Sequence, residues 1–229
     1  MKTSQESKPE LTISMMGETA ILFDAGMELD VPALGLQKRI WSVSKRLEAI
    51  KGVSEVIVGM NNFLVSFVPA DLPHAEVQQK VSEYWQQDVL EDALNVKSHI
   101  IDVVYGGEYL EDLKQVAEYS QLSIDQVIEL HSTSKYTVFT LGSQPGLPYL
   151  GGLPSQLDIP RRSSPRARVE SGAVIIAGGQ ASVLSRTSAC GWHVIGQTDY
   201  DVFNIKNDSP AIFSPGDIVE FRVKGVHLD

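Results

Sequence analysis

The sequence predicts an α+β protein made of two domains. In its first part, stretches with apolar residues three and four apart alternate with short strand patterns, whereas beyond Tyr136 short strands alternate with Gly- and Pro-rich turns. The chain has 229 residues, of which 43% are hydrophobic, so it is long enough to bury two cores. We therefore expect one domain over residues 1–100 and a second over residues 101–229.

The first hundred residues contain strand and helix patterns in turn. Residues 11–24 alternate apolar and polar positions around Gly17, which is typical of two short strands with the glycine at a turn or a bulge. Residues 31–50 have the spacing of an amphipathic helix, and Gly52 follows where such a helix would end. The stretch "VSEVIVGMNNFLVSFVP" predicts a hairpin that turns at "GMNN".

A second amphipathic helix is predicted over residues 74–87, directly after Pro73. It is followed by "HIIDVVYGG", a strand pattern that begins at His99 and ends at a glycine pair. The resulting order of strand, helix, strand, strand, helix and strand is typical of a ferredoxin-like sandwich. We assign the strand that begins at His99 to this first lobe.

The second half begins with two helical segments. "YLEDLKQVAEYSQL" places its apolar residues on one face, and the segment after it has Ser123 at the N-cap and Gln126 at the capping-box position. The strand patterns "YTVFTLG", "AVIIAGG", "WHVIGQT" and "DIVEFRV" then follow, separated by turns. This pattern favours a small β-barrel or sandwich.

The composition limits the class of protein. The net charge of -10 argues against nucleic acid or an anionic membrane as the main partner. The single cysteine, Cys190, excludes an internal disulfide and suits a reducing compartment. No apolar run suggests a signal peptide or membrane span, and no clustered histidines suggest a metal site. We expect a soluble, cytoplasmic protein without a protein-bound metal.

Four arginines are crowded into eight positions of this acidic chain: Arg161, Arg162, Arg166 and Arg168. A guanidinium group is a permanently charged, planar donor that needs a carboxylate, a phosphate or an anionic surface. From charge alone, two interpretations are equally supported. The arginines bind an anionic ligand, or they are solvated or paired with acids distant in the sequence.

The loop that precedes the arginines favours the ligand interpretation. "QPGLPYLGGLP" is rich in glycine and proline, including Pro145 and Gly146, so it has few conformations to lose and can bring backbone N–H groups close to a ligand. A rigid loop of this kind beside arginines is typical of an oxyanion cradle. The chain has no P-loop pattern, so a nucleotide would be held in another way.

Two further pairs of residues are candidates for chemistry. His131 and Ser132 lie at the end of a predicted helix and could supply a proton acceptor and a hydroxyl, although a histidine there also simply favours the helix dipole. Cys190 and His193 are not expected to form a nucleophilic pair, because they flank a glycine at a strand entry and no third orienting group is evident.

Several stretches together resemble one bacterial family. They are "GETAI", "QKRIW", "GMNN", "VVYGG", "ELHS" and, above all, "LGSQPGLPYLGGLPSQLDIPRRSSPR". The chain resembles, from about Gly17 to Val223, the family that comprises KipI, allophanate hydrolase subunit 1 and the B subunit of bacterial ATP-dependent 5-oxoprolinase. The family pattern typically has other residues at Ser143, Leu147, Ala181, Ser182 and Cys190.

The resemblance implies a fold and an activity. The fold is an N-terminal ferredoxin-like lobe followed by a cyclophilin-like β-barrel. The implied activity is the opening of 5-oxo-L-proline to L-glutamate with hydrolysis of ATP to ADP and phosphate, together with a C subunit and a LamB/YcsF-type A subunit. ATP, with Mg, would be a co-substrate, and no tightly bound cofactor is expected. Two alternatives stay open: a KipI-like inhibitor of a sensor histidine kinase, and a component of a carboxylase-linked amide or urea hydrolase.

Residue chemistry within this family gives a candidate site. We expect catalytic roles for Arg161, Arg162, His131 and Gln180, and substrate or phosphate binding by Ser132, Pro145, Gly146, Tyr149 and Arg166. In this hypothesis the arginines contact the anionic groups, and the Pro-Gly pair positions backbone. The histidine and the glutamine orient polar groups of the substrate.

Overall fold

The computed structural model of the chain describes residues 9–26, 33–89 and 96–229. The chain divides into two compact units, residues 1–94 and residues 95–229. The predicted start of the first helix, at residues 31 and 32, lies outside the described residues. In the described part of the chain, no helix is long and apolar enough to cross a membrane.

The first unit is an antiparallel sheet with two helices. Its elements, in chain order, are β1 (Thr12–Met15), β2 (Ala20–Asp24), α1 (Leu34–Glu48), β3 (Val53–Val58), β4 (Asn62–Phe67) and α2 (His74–Gln86). The strand order is β1-β2-β4-β3. Phe23 and Phe63 from the sheet pack with Leu47 and Trp85 from the helices in one buried cluster. Gly17, with φ of 76°, lies in the turn between β1 and β2, as the sequence predicts.

The prediction that the strand starting at His99 completes this sheet is wrong. From β2 to α2 the order of elements is the predicted ferredoxin-like one, but the place beside β2 is taken by β1. The pairing runs from Thr12 opposite Asp24 to Met15 opposite Ile21. Because β1 occupies that edge, the sheet is complete without a strand from beyond α2.

The second unit is a closed β-barrel with two helices. Its elements, in chain order, are β5 (Ser98–Gly106), α3 (Leu110–Ser120), α4 (Ile124–Thr133), β6 (Lys135–Leu141), β7 (Pro148–Gly151), β8 (Arg166–Val169), β9 (Ala173–Ala177), β10 (Gln180–Val183), β11 (Ser188–Cys190), β12 (His193–Gln197) and β13 (Ile218–His227). The barrel order is β10-β7-β6-β13-β5-β12-β9, and β8 pairs with β11 in a separate ribbon. The predicted mixed α+β class, with a barrel in the second half, is confirmed.

The strand β5 belongs to this barrel. It pairs in parallel with β13, from Ser98 opposite Ile218 to Gly106 opposite His227, and antiparallel with β12. The second unit therefore starts at residue 95, ahead of the residue 101 expected from the sequence. The alternating burial of β5 fits a strand in either sheet, so the pattern identifies the strand without identifying its neighbours.

Both helices pack against the barrel core. Leu113 and Val116 of α3 and Val127 of α4 share one buried cluster with barrel residues such as Val138 and Phe221. The predicted capping box at the start of α4 is present. Ser123 Oγ accepts from the Gln126 N–H at 3.2 Å, and Gln126 Oε1 accepts from the Ser123 N–H at 2.8 Å. The capping box therefore fixes the residue at which α4 begins.

Candidate functional site

The arginine-rich segment is organised around one buried acid, Asp112. This carboxylate lies in the first turn of α3 and is completely shielded from solvent. It accepts from Arg162 Nη1, from Arg166 Nη2 at 2.6 Å and from Arg166 Nε at 3.3 Å. It also accepts from the backbone N–H of Val194 in β12 at 3.0 Å. Asp112 therefore joins α3, β12 and the arginine-rich segment.

The position of Asp112 suits its charge. A carboxylate in the first turn of a helix is stabilised by the unpaired N–H groups and the positive end of the helix dipole. The hydrogen bonds to Asp112, and then its negative charge, raise the pKa of Arg166, whose guanidinium lies 5.8 Å from the ring centre of Tyr109. Burial of a charge is costly unless it is paired and hydrogen-bonded, and here the arginine-rich segment and β12 supply the partners of Asp112.

The remaining two arginines have different surroundings. Arg168 is exposed and forms an ion pair with Glu170 at 2.8 Å. Arg161 is also exposed, and its guanidinium carbon lies 5.9 Å from the ring centre of Trp192. Among the described residues, no carboxylate lies within ion-pair distance of Arg161. Arg161 is thus the member of this cluster whose charge is not matched by an acid of the described chain.

A cavity of about 540 Å³ opens beside α3 and the arginine-rich segment. Its walls include Gln115, Glu118, Tyr119, Arg161, Arg162 and His193. This volume is in the range of natural small-molecule sites, which combine apolar walls with a few placed polar groups. In the described structure, the cavity is where two of the predicted site residues, Arg161 and Arg162, meet.

His193 is a cavity residue that the sequence argument dismissed. Its side chain is 7% exposed, and Nε2 donates to the Pro160 carbonyl at 3.1 Å. Its Nδ1 is buried and has no partner among the described residues. Burial lowers the pKa of His193, so the ring is neutral at pH 7. The sequence offered no signal for this placement, because the strand β12 only reaches the cavity through the barrel's topology.

Cys190 does not have the surroundings of a nucleophile. The thiol is buried, burial raises its pKa, and Sγ accepts from the Trp192 N–H at 3.4 Å. A reactive cysteine is accessible and has a lowered pKa, and this thiol has neither property. The geometry agrees with setting the Cys190 and His193 pair aside.

The Gly- and Pro-rich loop contacts the arginine region through Trp192. The rings of Tyr149 and Trp192 meet edge to face at 6.0 Å, and Leu147 is packed in the same cluster. Gly146 has φ of 71°, and a Cβ on it would lie 2.8 Å from Phe203 Cβ. Close packing against Phe203 therefore requires a glycine at position 146. Pro145 is exposed at the surface of this loop.

His131 and Ser132 do not join the arginines. His131, on α4, is completely buried, with Nδ1 2.8 Å from the Tyr105 hydroxyl and its ring 4.5 Å from that of Phe221. Burial lowers the pKa of His131 to about 3, so it carries no charge that could serve the helix dipole. Ser132 Oγ points to the Glu129 carbonyl of its own helix at 3.4 Å. Neither residue lines the cavity.

Gln180, a candidate site residue that matches the family pattern, lies in the barrel, and the positions that depart from the pattern lie in the barrel and its loops. Gln180 begins β10 opposite Ala177, and it does not line the cavity. Ala181 is fully buried in the core, and the Ser182 hydroxyl donates to the Pro148 carbonyl at 2.6 Å. Ser143 is exposed in a turn with φ of 64°. These positions therefore lie outside the residues that line the arginine cavity.

The fold belongs to a known class of domain. Residues 11–213 match the family model described as carboxyltransferase domain, subdomain C and D. The crystal structure of TTHA0988 is similar, with a TM-score of 0.75 and 25% identity, and the match covers 89% of this chain and 39% of that one. The class is thus a carboxyltransferase domain of the C and D type.

Two curated relatives make the assignment more specific. The B subunit of 5-oxoprolinase from Escherichia coli O157:H7 is 40% identical over 210 residues, which are 90% of this chain and 93% of that protein. The B subunit of 5-oxoprolinase from Haemophilus influenzae is 36% identical over 193 residues, covering 84% and 89%. The chain belongs to this family of 5-oxoprolinase B subunits.

Proposed function

We propose that the chain is the B subunit of a heteromeric, ATP-dependent 5-oxoprolinase that opens 5-oxo-L-proline to L-glutamate. The observation that supports this most strongly is the 40% identity to the B subunit of a 5-oxoprolinase over 90% of the chain, which spans both compact units. The partners in this proposal are the A and C subunits. The co-substrate is ATP, hydrolysed to ADP and phosphate in the cytoplasm.

The chemistry explains why ATP would be needed. A lactam amide is a poor electrophile, and transfer of the γ-phosphoryl group to its carbonyl oxygen turns that oxygen into part of a leaving group. Water then adds at the activated carbon, the ring C–N bond breaks, and a second water releases phosphate. Guanidinium groups stabilise the carboxylate and phosphoryl oxygens that carry charge through these steps.

Magnesium in this proposal arrives with the nucleotide. In the part of the chain that the structure describes, no group of three or more His, Cys, Asp or Glu side chains is placed to hold a metal ion. Mg²⁺ commonly keeps several waters and is held by substrate phosphates with few protein carboxylates. Glu118 at the cavity wall would be the carboxylate of this chain available to such an ion.

The proposal also divides the candidate residues by role. We propose ligand contact for Arg161, and a supporting role for Arg162 and Arg166 because their guanidinium groups are bound to Asp112. Tyr149 would support the site through Trp192. The remaining candidates would support the structure of the barrel and its loops without contacting the ligand in the cavity. They are His131, Ser132, Pro145, Gly146 and Gln180.

Reconstitution with the cognate A and C subunits tests the function. The measurement is L-glutamate formed from 5-oxo-L-proline, with and without ATP and with this chain included or left out. We expect formation to require both ATP and the chain. An unchanged rate without the chain would refute the proposal. Submicromolar inhibition of a sensor histidine kinase, together with an inactive complex, would support the regulator alternative instead.

A further inference from the structure

We infer that Arg161 is the residue that binds an oxyanion, a carboxylate or a phosphate, in the cavity beside α3, and that Asp112 commits Arg162 and Arg166 to holding the segment in place. The inference rests on the proposed function only for the source of the oxyanion. The site itself follows from charge, packing and the shape of the cavity.

The arginines of this segment differ in whether their N–H donors are already bound to an acid. Arg162 and Arg166 both donate to Asp112, and their side chains are only 19% and 31% exposed. Arg161 has no acid within ion-pair distance in the described part of the chain. A guanidinium carries five N–H donors in a fixed fork that matches a carboxylate or phosphate. Arg161 therefore has this fork available to a ligand.

Arg161 is held in position by its neighbours Arg162 and Trp192. The next residue, Arg162, is fixed twice: its backbone N–H donates to the Gly191 carbonyl at 2.8 Å, and its side chain binds Asp112. The guanidinium of Arg161 lies 5.9 Å from the ring of Trp192, a residue that is 8% exposed. A cation over an aromatic face is favourable and limits the side chain's motion. Such preorganisation reduces the entropy lost when a ligand binds.

The charged residues at the cavity give it a positive electrostatic potential. Arg161, Arg162 and Glu118 line the cavity, and the buried Asp112 that Arg162 binds is shared with Arg166, so these three arginines and two acids leave an excess of one positive charge. His193 adds no charge at pH 7, because burial lowers its pKa. A positive, concave site in a chain with a net charge of -10 attracts anions and is not an average property of the surface.

The cavity also has an apolar wall that could contact the rest of the ligand. Tyr119, which is 57% exposed, Ile159 and Pro160 supply apolar surface beside the arginine. The cavity therefore fits a compact molecule that joins an oxyanion to a flat or apolar part. The carboxylate of 5-oxo-L-proline and a phosphate of ATP provide the same chemistry at Arg161, and direct binding separates the two.

Isothermal titration calorimetry of the full chain tests the inference. The probes, used separately, are 5-oxo-L-proline, ATP and inorganic phosphate. The variants are Arg161→Gln and, as a matched control from the same segment, Arg168→Gln, whose arginine is paired with Glu170 at 2.8 Å. We expect Arg161→Gln to raise the Kd for at least one probe tenfold or more, and Arg168→Gln to change it less than twofold.

The pattern of losses identifies the source of the oxyanion. A loss for 5-oxo-L-proline assigns Arg161 to the substrate carboxylate, and a loss for ATP or phosphate assigns it to a phosphate group. The inference is overturned if the wild-type chain binds none of the probes, or if Arg161→Gln binds them as the wild type does. Equal melting temperatures confirm that both variants are folded.

Failure of the site and failure of the proposed function give different results. If the reconstituted complex makes no glutamate but anion binding still depends on Arg161, the site stands and the function is wrong. If the complex is active and Arg161→Gln keeps the wild-type kcat/KM, the function stands and the site is wrong.

Discussion

Arg166 and Asp112 form a two-point ion pair in which Nη2 lies 2.6 Å from Oδ1 and Nε lies 3.3 Å from Oδ2. The two residues are 54 positions apart, and the acid is completely buried. This pair, shared with Arg162, turns part of an arginine cluster into structural support. The arginine left for a ligand is Arg161, at the edge of the cavity.

The Asp112 carboxylate predicts a large stability effect. Asp112→Asn keeps the shape of the side chain but leaves the charges of Arg162 and Arg166 without a counter-ion. Removing one partner of a buried ion pair costs roughly 3 to 5 kcal/mol, and we expect about 3 because both arginines are partly exposed. Urea unfolding measures the change. The control is Asp102→Asn, which removes the exposed partner of Arg222 and should leave the midpoint nearly unchanged.

The buried His131 predicts a pH dependence of stability. Its pKa is lowered from 6.5 to about 3 by burial, so between these values the unfolded state binds more protons than the folded state. The free energy of unfolding therefore falls as the pH falls through this window, by about 2 kcal/mol from pH 7 to pH 5 for this residue.

The variant His131→Gln should have a shallower acid limb, measured by urea unfolding at several pH values. The exposed histidine His227 supplies the control, and His227→Gln should keep the slope of the wild type. An unchanged slope in His131→Gln would mean that the ring of His131 is protonated in the folded state or reachable by solvent.

The loop glycine Gly146 predicts a packing effect. Gly146→Ala adds a Cβ 2.8 Å from Phe203 Cβ at a residue whose φ is 71°, so both contact and backbone conformation are unfavourable. We expect a loss of roughly 1 to 3 kcal/mol in the free energy of unfolding. Gly142→Ala, in the same loop with no atom within 4 Å of the added Cβ, should cost far less. Equal melting temperatures for the two variants would argue against the close approach to Phe203.

We expect that replacing the thiol of Cys190 does not change the turnover of the complex. Burial raises its pKa, and the Trp192 N–H donates to its sulfur, so Cys190→Ser keeps an acceptor at the same place. Glutamate formation by the reconstituted complex should stay within twofold of the wild type. A fall of a hundredfold or more in kcat would instead assign the thiol a direct part in the reaction.

Local patterns in the sequence predict most of the elements. The capping box at Ser123, the turn at Gly17 and the alternating strands all depend on residues close together in the chain, and each is present. The sheet to which β5 belongs was not predictable, because its alternation suits either partner. A buried strand of the barrel and an edge strand of the first lobe can have the same alternation of apolar and polar residues in the sequence.

The candidate site was predictable only in part. Sequence crowding drew attention to the arginines, but it contains no information on the acid that pairs with them, since Asp112 is 50 residues from Arg162. His193 reaches the cavity only through barrel topology. His131, by contrast, looked available at a helix end, yet tertiary packing buries it among Tyr105, Tyr136 and Phe221. Pairings over long sequence distances decide which polar residues face a ligand.

The role of Arg161 is tested most directly by the kcat/KM for 5-oxo-L-proline of the complex reconstituted with the A and C subunits. With Arg161→Gln we expect a fall of roughly tenfold to a hundredfold, the equivalent of about 1.5 to 3 kcal/mol for a hydrogen bond to a charged group, at an unchanged melting temperature. With Arg168→Gln we expect the wild-type value. A wild-type kcat/KM for Arg161→Gln would contradict the role of Arg161 in ligand binding, and glutamate formation that does not need this chain would contradict the proposed function.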